Sequence, residues 1–558
     1  MFENQHPYFK RDKQMKQIFI YDTTLRDGSQ GENINFSVDE KIQIARRLDR
    51  TGIHFIEGGW PGANPKDSEF FHKIQKENFK NARVVAFGST RKPGKPAAYD
   101  SNLNALLASE THDIAIFGKS WTLHVQEIMK NTLTENLSMI RDSIEYLTSH
   151  NRNVCYDAEH FFDGYLASSE YAIETLTAAM EGGAQTITLC DTNGGLMLHD
   201  VARIVSHVKS HMEAHFPKVR LGVHVHNDCG LAVANSITAI QAGATLVQGT
   251  INGYGERCGN ADLINIIPLL AIKLGYSCID ADQLKNLKNL SRFVSETANM
   301  IPLSNRPFVG ESAFAHKGGI HVSAIKINPK SYEHMDPKWV GNSRDVLISD
   351  LAGKSNIDYK ANEFNIHLPD ETSLKISQDI KKLEKRGYKF EGADGSLKLL
   401  MQKHLNRFQP AFELESFRVF IEKNKDLPCT AHAVIKISVG NQKGEIIAAE
   451  GTGPVSALDN ALRKALKRFF PNVDNMHLMD FKVRVIDGRD GTAAKVRVLI
   501  SSRDHSNIWT TIGVSEDIIE ASWEALADSF QYILHENNIA PFKSDVPCSN
   551  TANFSPSL

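Results

Sequence analysis

One unit recurs through the first half of this 558-residue sequence: a short β-branched or aromatic run, a polar turn, then an amphipathic helix often closed by glycine. Candidate strands fall near Ile18–Tyr21, His54–Glu57, Arg83–Ala86, Asp113–Ile116, Val154–Tyr156, Thr186–Leu189, Gly222–Val225 and Thr245–Gln248. Helical periodicity fills the gaps, as in Val38–Arg50 and Leu231–Ala242. Ser37 followed by Glu40 predicts a capping box, and Gly52, Gly183 and Gly243 stand where a left-handed residue ends a helix. About eight such units in ~270 residues is the arithmetic of an α/β chain wound into a (β/α)8 TIM barrel. Periodicity does not itself close a barrel, so an open doubly wound sheet stands as the alternative.

A barrel concentrates its chemistry where strands end. The stretch Gly222-Val223-His224-Val225-His226-Asn227-Asp228 places two imidazoles on one face of a strand at its C-terminal mouth, a spacing that suits one divalent ion. Two ordinary strand histidines are the plain alternative. A hard carboxylate and an amide oxygen would complete such a set, and Asp27 and Asn260 follow the first and eighth strands. Each has an ordinary explanation, Asp27 as a turn former before glycine and Asn260 as a helix cap. Arg26 is placed to neutralise a developing oxyanion, or forms a surface ion pair. Glu159 suits acid/base work or a rim salt bridge, and Thr192 suits a substrate carboxylate or a helix cap. His321, among glycines and short polar residues, suits a mobile general base or a structural role.

The pattern shortens from about Ser304 to Pro410, with helical stretches near Leu374–Lys385 and Gly395–Leu405 that read as a linker. The last region, about Leu414 to Asn538, repeats itself. Ala433–Ile437 leads through a turn and second strand to Gly451–Ser456 and a helix, and Lys495–Ile500 leads likewise to Thr511–Ser515 and a helix. Two strand–turn–strand–helix copies predict a duplicated α+β module. A net charge of −3 with mixed signs gives no footprint for nucleic acid or anionic membrane. Met1–Gln17 has no apolar h-region and no run approaches a membrane span. Seven scattered cysteines without a C-x-x-C fit reduced thiols, and the expectation is a cytoplasmic protein.

Thr23-Thr24-Leu25-Arg26-Asp27-Gly28, the His224–Asp228 run and Asn252-Gly253-Tyr254-Gly255-Glu256-Arg257-Cys258-Gly259-Asn260 together resemble signatures of the 2-isopropylmalate, homocitrate and citramalate synthases. Gly318-Gly319-Ile320-His321 is similar to the linker histidine motif of that family, and the terminal module to its regulatory dimer domain. Phe55–Asp67, Asp157–Tyr165 and Gly387–Ala393 look most like the citramalate branch. The resemblance implies an N-terminal arm at 1–16, a catalytic barrel at 17–300, helical linker subdomains at 301–413, a regulatory dimer domain at 414–540 and a tail at 541–558. It implies an acyltransferase that condenses acetyl-CoA with a 2-oxo acid, pyruvate in the citramalate branch, and then hydrolyses the thioester. Asp27, His224, His226 and Asn260 would bind the divalent ion, Mg²⁺ or Mn²⁺ ahead of Zn²⁺ because two ligands are Asp and Asn oxygens. Arg26 would stabilise the enolate and alkoxide, and Thr192 would hold the substrate carboxylate with Asp157 along the pocket. Glu159 and His321 would move protons, His321 from a neighbouring subunit of a homodimer. Isoleucine would be the feedback inhibitor. Two alternatives stay open: another 2-oxo acid, giving isopropylmalate or homocitrate, and a metal-dependent lyase acting on a 3-hydroxy-3-methylglutaryl thioester. A non-catalytic amino-acid sensor is a third. Cys258 is expected to be non-catalytic.

Overall fold

The computed structural model describes residues 16–440, 442–486 and 494–536. The expected tail at 541–558, with Cys548, and all but the last residue of the N-terminal arm lie outside them. The described residues divide into two compact units, one running to Phe314 and including Met335–Arg344, the other taking Ala315–His334 and the chain from Asp345 onward.

The first unit is a closed barrel of eight parallel strands in sequence order: β1 (Phe19–Asp22), β2 (Phe55–Gly59), β3 (Arg83–Ser89), β4 (Asp113–Lys119), β5 (Asn153–Glu159), β6 (Thr186–Asp191), β7 (Arg220–Val225) and β8 (Leu246–Gly249). Closure is a matter of register. Phe19 pairs with Leu246 and Asp22 with Gly249, so β8 returns to β1 and the open-sheet alternative is excluded. The helices form as their sequence directs. Ser37 and Glu40 make the reciprocal capping box of Val38–Arg50, whose buried stripe includes Ile42, Ala45 and Leu48. Gly52, Gly183 and Gly243 all have positive φ beyond their helix ends. One apolar cluster lies between strands and helices, around Ile20, Ile56, Ile116, Leu189, Val223 and Val247. A second, smaller one fills the barrel interior with Tyr21, Phe55, Val85, Phe87, Ala115 and Leu246. This filling directs any ligand to the strand ends.

In the second unit, helices Gly319–Ile327, Lys354–Glu363, Asp370–Lys385 and Asp394–His404 precede the duplicated module. Each copy has three antiparallel strands, not the two expected: Glu413–Glu422, Thr430–Val439 and Gln442–Gly451, then His477–Val485, Val496–Arg503 and Ile508–Ser515. The leading strand of each copy is not among those expected: Phe417, Val419, Phe481, Val483 and Val485 alternate with polar residues, but only Phe417 and Val419 pack, in part, against the core, and the rest of these apolar side chains are exposed. Helices Pro454–Leu466 and Ile518–Glu536 follow, and both copies share one core, with Ile435 and Leu462 from the first and Ile500 and Phe530 from the second. Among the described residues no helix is long and apolar enough to cross a membrane.

At the start of the barrel, the Ile20 backbone N–H donates to His54 Nδ1 at 3.1 Å, and the His54 N–H donates back to the Ile20 carbonyl at 3.1 Å. Burial, aided by Arg220, pushes the His54 imidazole down from 6.5 to about 4. The native ring therefore stays neutral over a pH range where an unfolded histidine takes a proton. Its stabilising contribution is complete above the unfolded value and is lost as pH falls from 6.5 toward 4. In His54→Gln a side-chain oxygen can accept the same backbone proton without titrating. We expect its barrel urea midpoint to fall less steeply over that window, by up to about 3 kcal/mol at the acid end; parallel pH profiles for parent and variant would refute this.

Candidate active site

The loop after β1 is fixed before any ligand arrives. The Asp22 carboxylate accepts from the Thr24 N–H at 3.0 Å and the Thr24 hydroxyl at 2.8 Å, and the Thr24 oxygen accepts from the Ile251 N–H at 2.8 Å. The first and eighth loops are thereby joined, which holds Asp27 near Asn260. Glycine makes the second approach possible. Gly255 has φ +155°, and a Cβ there would lie 1.8 Å from Asn260 Oδ1. Gly259, at φ +84°, would meet the Gly253 carbonyl at 2.0 Å. The glycines of that run are spent on folding the loop around Asn260.

At the mouth the donors converge. His224 Nε2 and His226 Nε2 are 3.2 Å apart, and Asp27 Oδ2 lies 3.2 Å from the first and 4.0 Å from the second. Asn260 Nδ2 reaches Asp27 Oδ2 at 2.9 Å and His224 Nε2 at 3.2 Å, while its Oδ1 is buried without a hydrogen-bond partner. Half a turn of that amide brings an oxygen to the same point. All four side chains are buried. Two ring nitrogens and a carboxylate oxygen facing one another in a site this dry call for a positive charge, supplied by a bound cation or by a proton on His224, whose pKa Asp27 raises against the effect of burial. The group Asp27, His224 and His226 meets the spacing of a metal-binding triad, its candidate ligand atoms all within 4.8 Å. Electrostatics agree. Burial alone would raise the Asp27 carboxyl, but the Arg26 guanidinium and the His224 contact hold it far below the usual carboxylate range. Burial and the neighbouring His224 push His226 down to about 4, leaving a neutral ring able to ligate. Asp27 does form the turn expected before Gly28, its carbonyl accepting from the Gln30 N–H at 3.0 Å, while its carboxylate stays free of that turn and faces the histidines; Asn260 is not a helix cap, since the helix that follows is capped by Asp262.

Around the triad lies a cleft of about 240 Å³ lined by Arg26, Asp157, Glu159, Thr192 and the aromatic rings Trp60, Phe87 and Phe117, among others. Arg26 is not a surface arginine. Its Nε donates to Glu57 Oε1 at 2.6 Å, its guanidinium lies 3.8 Å over the Phe87 ring, and Nη1 stands 3.6 Å from Asp27 Oδ1. Glu57 is fully buried and also accepts from the Tyr21 hydroxyl at 2.7 Å. The Thr192 hydroxyl oxygen accepts from the His160 N–H at 2.9 Å, so it caps no helix of its own and its proton remains for a ligand. Glu159 forms an ion pair with Lys119 at the lip. Asp157 is buried, accepts from Gln248 Nε2 at 2.9 Å, and burial raises its pKa. Arg257 holds both Asp228 oxygens at 2.7 and 2.9 Å and donates to the Thr192 carbonyl at 2.8 Å, binding the sixth, seventh and eighth loops together. Cys258 is exposed and does not line the cleft.

His321 belongs to the second unit, on the first turn of Gly319–Ile327, exposed and stacked on the Tyr332 ring at 4.1 Å. Sequence reasoning assigned no role to Glu57, Gln248, Arg257 or the three rings. Glu57 carried one signal, a carboxylate at a strand's C-terminal end. Phe87 and Phe117 carried none, being apolar residues in apolar strands. The rings pack closely, Phe87 stacked on Phe117 at 5.6 Å with Trp60 edge-on to both at 5.7 Å.

Three family models match successive parts of the chain: HMGL-like over residues 17–293, homocitrate synthase post-HMGL domain-like over 308–388, and LeuA allosteric (dimerisation) domain over 391–534. The chain is 51% identical over 523 residues to an (R)-citramalate synthase of Aquifex aeolicus, covering 93% of this chain and 98% of that one. It is 51% identical over 526 residues to an (R)-citramalate synthase of Geobacter sulfurreducens, covering 94% and 98%. A 2-isopropylmalate synthase of Lysinibacillus sphaericus is 30% identical over 513 residues, covering 92% and 96%.

Proposed function

Because this chain belongs to the (R)-citramalate synthase branch of the condensing acyltransferases, we propose that it joins acetyl-CoA to pyruvate and water, giving (R)-citramalate and CoA on the route to isoleucine. The observation that carries the reading is the cleft itself, in which Asp27, His224, His226 and Asn260 converge opposite an aromatic wall. The acetyl methyl loses a proton, its carbon bonds to the keto carbon of the 2-oxo acid, and the keto oxygen takes a proton; water then cleaves the thioester and CoA leaves as the thiol. A divalent cation on the four mouth residues, Mg²⁺ or Mn²⁺ for a set half oxygen, would polarise the keto group.

The protein's own groups do the rest. Arg26, held flat by Glu57 and Phe87, offers its outer N–H groups to the enolate and the alkoxide. The unused Thr192 hydroxyl proton suits the substrate carboxylate, with Asp157 along the same wall. Glu159, paired with Lys119 at the lip, and the exposed His321, supplied by a partner subunit, act in proton transfer. The rings of Trp60, Phe87 and Phe117 favour pyruvate, since each methylene shut out of a packed apolar wall is worth about 1–3 kcal/mol. A second carboxylate, as in 2-oxoglutarate, meets no spare cation in the cleft lining, where Arg26 is paired with Glu57 and Arg257 with Asp228. Dimerisation through the terminal module is supported by the match at 391–534 and by the apolar Met479, Val483 and Val485 left exposed on strand His477–Val485. Isoleucine bound there alters catalysis by preferring one of two states of the dimer.

Thiol release from acetyl-CoA tests the reaction directly. We expect pyruvate to be turned over faster than 2-oxoisovalerate or 2-oxoglutarate, with activity abolished by exhaustive chelation and restored by Mg²⁺ or Mn²⁺. Faster turnover of 2-oxoisovalerate would overturn the substrate assignment, and full activity after chelation would overturn the metal.

Arg26→Lys keeps the charge but not the planar fork held between Glu57 and Phe87. Its kcat should fall by about 10²-fold or more while Mn²⁺ binding persists. Parental turnover would dismiss the oxyanion role.

A chain ending before Leu414 should lose isoleucine inhibition, whatever residual activity it keeps. Undiminished inhibition of that chain, competitive with pyruvate, would place the effector at the barrel instead.

A further inference from the structure

Beneath the triad, in the barrel interior, lies a glutamine that the reaction as described does not use. Gln248 sits on β8 with no exposed surface, in register with His224 on β7 and Tyr21 on β1. A fully buried amide must find partners for both ends, and this one does. Its Nε2 donates to Asp157 Oδ1 at 2.9 Å and to Thr188 Oγ1 at 3.2 Å; its Oε1 faces His224 Nδ1 at 2.9 Å. The reverse orientation would set the amide oxygen against the Asp157 carboxylate, acceptor against acceptor. Asp157 therefore dictates which end of the amide His224 meets. An amide oxygen can only accept, so the ring proton of His224 must sit on Nδ1. Nε2, the nitrogen that faces His226, Asp27 and Asn260, is left with its lone pair.

We propose that Gln248 is a positioning residue: anchored by Asp157 and Thr188, it selects the Nδ1–H tautomer of His224 and so keeps Nε2 ready to ligate a divalent cation. The inference rests on the metal reading given above, and it adds a direction to it. The polar chain Thr188/Asp157–Gln248–His224 transmits the orientation of a residue that lines the cleft to a residue that holds the ion. Leu at position 248 would fill much of the same space but would remove the acceptor facing His224 Nδ1 and leave the imidazole free to choose either tautomer.

Mn²⁺ affinity of the full-length chain, measured by electron paramagnetic resonance titration and by calorimetry, tests this without reference to turnover. Gln248→Leu should weaken Mn²⁺ binding about tenfold or more. The double variant Gln248→Glu with Asp157→Asn reverses the amide and the carboxylate while preserving charge, and it still offers His224 Nδ1 an acceptor and the position-157 side chain a partner. Its Mn²⁺ affinity should return to within about threefold of the parent. Because Leu fills the space without an acceptor while Glu restores one, the two variants together separate the acceptor offered to His224 from the volume filled. Parental affinity in a folded Gln248→Leu chain overturns the proposal, as does a folded double variant that binds no better than Gln248→Leu. If Gln248→Leu does not fold, the double variant decides alone, near-parental affinity upholding the proposal and a large loss overturning it. Failure of the parent chain itself to bind Mn²⁺ would remove the metal reading and the proposal with it, an outcome separate from the others.

Discussion

Two imidazole nitrogens 3.2 Å apart, with a carboxylate oxygen 3.2 Å from one of them, form an arrangement that water-excluded protein does not tolerate without a compensating positive charge. Most of the barrel mouth answers to that constraint. Arg26 stands beside Asp27 but is turned toward Glu57, so it moderates the negative charge without occupying the point of convergence. In the proposed function a divalent cation takes that place, with Asp27, His224 and His226 already gathered within 4.8 Å of one another and only the Asn260 amide left to turn.

Position comes from the barrel. Parallel strands in sequence order deliver their C-terminal ends to one rim, and the interior plug of Tyr21, Phe55, Val85 and Phe87 closes the other way out. Loops that carry ligands are then joined in pairs by short polar links. Asp22 and Thr24 connect the first loop to Ile251 of the eighth, and Arg257 connects the eighth to the sixth and seventh. Arg26 serves twice, as an electrostatic partner of the triad and as the bridge from the metal side of the cleft to its aromatic side. The aromatic wall of the cleft is thus held in part by a charged residue that also faces the triad.

Much of this was readable from residue types at known offsets. The strand–helix alternation predicted eight units, and every expected strand lies on or beside an observed one, but closure shows only in the pairing of β8 with β1; the Ser37/Glu40 capping box and the glycine helix ends stand as anticipated. His224 and His226 were visible because period two puts both on one face, and the structure brings Asp27 and Asn260 to them. What escaped notice shares a cause. Gln248, Glu57, Phe87 and Phe117 act through partners on other strands and loops, 24 to 91 residues away, and their own neighbourhoods look like ordinary buried strand. The leading strands Glu413–Glu422 and His477–Val485 were passed over although Phe481–Val485 alternates, because their apolar side chains are largely exposed and read as part of neither core. The change of unit at Phe314 is likewise absent from any composition shift, because Met335–Arg344 returns to the first unit after twenty residues in the second.

The central claim is that four side chains at the barrel mouth hold one divalent ion facing the 2-oxo acid. Anomalous diffraction from crystals of the full chain grown with Mn²⁺ and pyruvate tests it most directly. A single strong peak about 2–2.4 Å from Asp27, His224, His226 and the Asn260 oxygen, with pyruvate density beside it under the Trp60, Phe87 and Phe117 rings, is the result required. A peak bound elsewhere, or pyruvate seated away from these residues with the mouth empty, would contradict the account.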